Sequence, residues 1–130
     1  MYSQLQEIHL TYLNRSFEII GFPSNSFNHE KRSNCEILQY LRLEWGVEFD
    51  LYAKVDVNGP NTIPLYHYLK RHSNCHSIWG ERIKWNFTKF LIGRDGAPIK
   101  RYGARKEPFN IELDIQKALE VKKPKQSQYH

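Results

Sequence analysis

The chain has 130 residues, 40% of them apolar, which is enough material for one packed domain and too little for two. Its formal charge of +5 and pI near 9.2 favour anionic partners, although part of the excess sits in residues 121–130. Two cysteines, Cys35 and Cys75, cannot build the disulfide framework of a small secreted domain, and no run reaches the roughly 18 apolar residues of a membrane-spanning helix.

Over residues 2–13 the apolar positions Leu5, Ile8, Tyr12 and Leu13 recur at helical spacing, with Gln4, Glu7 and Thr11 on the other side, which predicts an amphipathic helix. Residues 17–22 form a short apolar run that Pro23 ends, because proline has no N–H to give to a ladder; a buried parallel strand is expected. Ser33 or Asn34 caps a second helix through Ile37, Leu38, Leu41 and Trp45, with Glu36 near its positive end and Gly46 as its stop.

Residues 49–57 alternate loosely and close on the turn Asn58-Gly59-Pro60, after which Pro64 opens a helix through Leu65, Tyr68 and Leu69. A polar stretch, 71–82, follows. Residues 87–93 and 98–102 flank Arg94-Asp95-Gly96-Ala97, and Asp-Gly between apolar runs predicts an antiparallel hairpin. Ile111, Ile115 and Leu119 at four-residue spacing predict a closing helix, and Lys122-Lys123-Pro124-Lys125 begins a solvated tail. The order describes an α/β protein with a mixed central sheet covered by helices on both faces, one domain over 1–120 and a basic tail over 121–130.

Four ordered blocks resemble the glutathione peroxidase family, a branch of the thioredoxin-like fold: Tyr2-Ser3-Gln4-Leu5-Gln6-Glu7-Ile8-His9; Gly21-Phe22-Pro23-Ser24-Asn25-Ser26-Phe27; Asp56-Val57-Asn58-Gly59 with Pro64-Leu65-Tyr66; and Ile83-Lys84-Trp85-Asn86-Phe87-Thr88-Lys89-Phe90-Leu91 with Lys100-Arg101-Tyr102. The short connection from Tyr68 to Trp85 is similar to that of monomeric, phospholipid-hydroperoxide-type members, so a monomer is expected. The resemblance implies thiol-dependent reduction of hydroperoxides, with glutathione or thioredoxin as reducing co-substrate and no other cofactor.

Such chemistry needs an ionised chalcogen and hydrogen-bond donors around it, and in the family a Gln, a Trp and an Asn serve. Trp85 and Asn86 match the last two; taken alone they read equally well as a core aromatic and a turn residue. The resemblance places the redox selenocysteine or cysteine ahead of Tyr2, after a core strand lying between the strands at 17–22 and 87–93. No residue of this chain takes that place, so the activity of the chain by itself is in question. Expectation divides between a reading frame restarted at Met1 after a selenocysteine codon and a decayed copy. The family's Phe-Pro-Cys turn carries Ser24, its Gln is Ser26, and the resolving-cysteine position of thioredoxin-dependent members is Arg42.

Cys35 and Cys75 fall on other turns of the fold, and His29 reads as a loop histidine. His72, Cys75 and His76 do not make a standard zinc spacing, so no metal is expected. Lys84, Lys89, Arg94, Lys100, Arg101 and Arg105 suit an anionic lipid surface or an ordinary solvated face, and the absence of a recognised module argues against nucleic acid. With no basic-then-apolar leader in the sequence, a cytoplasmic setting is expected.

Overall fold

The computed structural model describes residues 1–24, 33–75, 80–84 and 86–121. Helix α1, Tyr2–Thr11, buries Gln6 and Ile8 and ends at Tyr12, itself buried, while Leu13 lies beyond the helix and is exposed. Strand β1 is only Ile20–Gly21 and pairs in parallel with β2, Asp50–Leu51. The expected strand is therefore shorter and less buried than its apolar letters suggest, with Ile20 45% exposed. The parallel direction continues past the ladder as a single bridge between Ser24 and Val55.

Helix α2, Asn34–Trp45, carries the predicted punctuation at both ends. The Ser33 hydroxyl accepts the Glu36 N–H at 3.2 Å, satisfying one of the donors that a helix start leaves open. Gly46 adopts φ 63°, the left-handed conformation that a residue without Cβ takes at least cost. Ile37 and Leu41 face the core, whereas Leu38 and Trp45 are largely solvent-facing. Helix α3, Pro64–Arg71, is rotated from the sequence expectation: Leu65 and Tyr68 are exposed, and the buried pair is Leu69 and Lys70.

Strands β3, Lys89–Ile92, and β4, Pro98–Tyr102, form the antiparallel hairpin, with Gly96 at φ 83° and the Asp95 carboxylate accepting the Ala97 N–H at 3.0 Å. A 3-10 turn, Pro108–Ile111, leads into helix α4, Glu112–Glu120. Along β3 the side chains alternate, as strand geometry requires. Leu91 joins Ile8, Tyr12, Tyr102, Ile111 and Ile115 under α1 and α4, while the neighbouring Phe90 meets Tyr66 of α3, ring centroids 5.9 Å apart. Helices thus lie on both sides of the hairpin.

A second cluster joins Ile37, Leu41, Val47 and Phe49, with Tyr2, Leu5 and Leu51 packed against it. Ile19 touches both clusters and so links the two halves of the core. The strands nevertheless form two separate two-stranded sheets among the described residues, β1 with β2 and β3 with β4. On the α3 side the gap between them is spanned by rings: Phe22, just after β1, packs edge-on against Tyr66 at 5.7 Å, and Tyr66 packs against Phe90 of β3.

Helix α1 is fastened by side-chain amides to distant segments. Gln6 Oε1 accepts the Glu48 N–H at 2.8 Å, and Gln4 Oε1 accepts the Phe109 N–H at 3.1 Å. Both acceptors satisfy backbone donors at the start of other elements, so α1 fixes the position of β2 and of the turn ahead of α4.

Candidate functional site

The segment before the hairpin carries the residues singled out by sequence, and two clamps hold it. Asn58, in the turn after β2, accepts the Ile83 N–H on Oδ1 at 2.9 Å and donates from Nδ2 to the Ile83 carbonyl at 2.7 Å. Arg101 of β4 donates from its two terminal nitrogens to the carbonyls of Glu81 and Arg82, both at 2.8 Å, with its guanidinium over the Phe90 ring at 5.7 Å. Residues 81–83 are thereby pinned from two sides, one turn ahead of Asn86.

Lys70 completes the first clamp. Its buried ammonium donates to the Val57 carbonyl at 2.6 Å and to Asn58 Oδ1 at 3.3 Å. Burial pulls its pKa below the ordinary lysine value, and Arg101, Arg82 and Arg71 add to that while Glu81 opposes it. A buried lysine is tolerated here because backbone and amide oxygens receive its protons.

Asn86 is half-buried in a turn, and Phe87 follows it with φ 64°, a left-handed conformation that is rare for a bulky residue. Tyr2 and Lys89 both reach Phe87: the Tyr2 ring meets it edge-on at 5.0 Å, and the Lys89 ammonium donates to its carbonyl at 2.5 Å. Tyr2 in turn packs against Trp45 at 5.7 Å. The Asn86–Phe87 turn therefore sits against the first turn of α1. Trp85 lies outside the described residues, as do Ser26, His29 and His76.

The other candidate positions lie elsewhere in the fold. Ser24 belongs to the backbone bridge with Val55, and Arg42 donates to the Val47 carbonyl at 2.9 Å, closing the end of α2 where a resolving cysteine would stand. Cys35 is exposed on the first turn of α2; Cys75 is fully buried, and burial pushes its thiol up against the opposing pull of Arg101. The His72 Nδ1 accepts the Asn74 N–H, and no group of three possible metal ligands occurs among the described residues. Of the six basic residues considered for an anionic surface, Lys89 and Arg101 are engaged as above and Arg94 donates to the Leu119 carbonyl at 3.1 Å. Sequence reasoning missed Asn58 and Lys70 as anchors, since an Asn-Gly turn and a helical lysine both have ordinary surface readings.

The fold is thioredoxin-like, a mixed parallel and antiparallel arrangement flanked by helices. The glutathione peroxidase family model matches residues 1–70. The chain is 46% identical over 119 residues to the putative chloroplastic glutathione peroxidase 7 of Arabidopsis thaliana, covering 91% of this chain and 50% of that protein. It is 41% identical over 122 residues to a glutathione peroxidase of Schistosoma mansoni, covering 93% and 71%. The apo crystal structure of Trgpx superposes with a TM-score of 0.75 at 32% identity, covering 95% of this chain and 72% of that one, and T. cruzi GPX1 with 0.71 at 30%, covering 91% and 70%. The chain spans about half the length of the two chloroplastic Arabidopsis proteins it matches. This chain belongs to the glutathione peroxidase family. A match spanning 91% of the chain necessarily includes Asn86, which lies beyond the stretch matched by the family model.

Proposed function

We propose that the full-length product of this gene reduces hydroperoxides at the expense of thiols, with Trp85 and Asn86 as hydrogen-bond donors around a selenolate or thiolate placed ahead of α1. The observation that carries this reading is the Tyr2–Phe87 contact at 5.0 Å, because it sets the Asn86 turn beside the helix that the redox residue of this family precedes. The chalcogenolate attacks one peroxide oxygen, the O–O bond breaks, and the alcohol or water leaves with a proton, so that the chalcogen becomes a selenenic or sulfenic acid. Two thiols then return it to the reduced state, forming a disulfide and releasing water. Amide and indole donors favour the anion before attack and assist the leaving oxygen during it.

A coupled assay with glutathione or thioredoxin tests this in the full-length protein and its Asn86→Ala variant. Turnover above background that falls about 10²-fold in the variant, the size expected for one lost oxyanion-type donor, supports the reading. An intact, folded full-length protein with no turnover sinks it. The second reading, a fold retained without catalysis, draws on Arg42 and Ser24, both committed to backbone contacts. The monomeric state belongs to the same proposal, as does a reducing, cytoplasmic setting, which the two free thiols support. Contact with an anionic lipid surface would fall to Lys84, Lys100 and Arg105.

A further inference from the structure

Phe87 poses a problem that the proposed chemistry does not answer. Only two non-glycine residues among those described have positive φ, and Phe87 is the bulky one. Glycine or asparagine would take that conformation more easily, so something in the fold must hold phenylalanine there. Burial of its ring does not, since Phe87 is 36% exposed.

Two groups contact the strained residue from opposite ends of its structure. The Tyr2 ring packs edge-on against the Phe87 ring, and the Lys89 ammonium bonds to the Phe87 carbonyl. Lys89 is only half-buried, yet burial lowers its pKa despite the opposing pull of Glu107, so the ammonium gives up hydration to make this bond. Lys89 opens β3 and pairs with Tyr102 across the hairpin, which makes its backbone a rigid base for that reach.

We propose that Lys89 is a positioning residue: by holding the Phe87 carbonyl, with Tyr2 steadying the ring, it keeps the left-handed turn that fixes where the Asn86 amide is presented. The inference rests on the reading of Asn86 given above. Strain stored at one residue and released by loss of its holder is a recognised way to set a donor's direction, and small misplacements of a donor cost rate steeply.

The test uses the full-length protein, with the rate constants for peroxide and for thiol measured separately. Lys89→Met keeps the length and removes the charge; the peroxide constant is expected to fall about tenfold while the thiol constant holds. Lys89→Arg, which retains a donor, is expected to recover most of it. In a Phe87→Gly background, where the turn needs no holding, Lys89→Met is expected to have little further effect. A lysine that merely stabilises the fold would lower both constants, and equally in both backgrounds; that result overturns the proposal, as does a peroxide constant within twofold of wild type in Lys89→Met. If Asn86→Ala is itself neutral, the functional reading fails first. If Asn86→Ala is slow and Lys89→Met is not, the positioning role alone fails.

Discussion

The side-chain amide of Asn58 bonds both backbone groups of Ile83, doing for a residue 25 positions away what a neighbouring strand would do. The same oxygen receives the buried Lys70 ammonium. Removing the amide leaves a backbone N–H, a backbone carbonyl and part of an ammonium without these partners in a half-buried place. Asn58→Ala is expected to cost about 2–4 kcal/mol, since each unsatisfied buried group costs about 1–3 kcal/mol. Urea denaturation measures it, and a loss below about 0.5 kcal/mol, the size of an ordinary surface substitution, would show that the clamp contributes nothing.

Alkaline pH should unlock the other end of the hairpin. The Tyr102 hydroxyl donates to Asp114 Oδ2 at 2.6 Å, and its pKa is raised above the ordinary 10.0 by burial first, then by that bond and by the carboxylate charge. Tyr66 is pushed up to about 12 by burial. Both phenols stay protonated in the fold where the unfolded chain loses the proton, so the unfolded state binds fewer protons above pH 10.0 and stability falls as pH rises. The contribution is full below the unfolded value and lost on passing through the folded one. Tyr102→Phe is expected to cost about 1–3 kcal/mol at neutral pH, as for a bond to a charged acceptor, and to flatten the alkaline fall. Urea midpoints across that range, compared between wild type and variant, decide it; identical pH slopes refute the assignment.

Gly46 isolates a backbone effect. Its φ of 63° is left-handed, and a Cβ added there would meet nothing within 4 Å. Gly46→Ala should therefore destabilise through conformation alone, by about 1 kcal/mol. A neutral outcome in thermal or urea unfolding would mean that the end of α2 is not fixed by this residue.

How much of this was legible depends on the range of the interaction. The Ser33, Glu36 and Gly46 signals around α2 and the Asp95-Gly96 turn are local chemistry, and the structure follows them. The inward face of α3 was not legible, because the buried Lys70 is satisfied by oxygens 12 and 13 residues earlier in the chain. The strand over 17–22 shrank to Ile20–Gly21 because strand length depends on neighbours as well as on apolar content. Asn86 could be picked out through resemblance alone, and nothing in the letter Phe announces a left-handed backbone at position 87. Trp85 lies outside the described residues, so its place in the site stays with the proposal.

The two separate ladders carry the last prediction. Among the described residues β1 bonds to β2 and β3 to β4, while Ile19 packs against both core clusters and Ile20 stands 45% exposed. Sheet edges that neither pair nor are covered present open N–H and C=O groups beside apolar side chains, which favours aggregation and lowers stability. Residues 1–130 expressed alone are therefore expected to unfold below about 45 °C, the lower end of the usual mesophile range. Adding a five- or six-residue apolar strand ahead of α1, the place the family assigns to one, should raise the midpoint by several degrees, since about 1 kcal/mol shifts a domain of this size by roughly 2–8 °C. Circular dichroism melts with hydrogen exchange at Ile20 and Leu91 follow both effects. A cooperative, monomeric transition of residues 1–130 above about 45 °C would show that these edges cost the fold little, and that the core bridged by Ile19, Tyr66 and α1 holds without a strand between them.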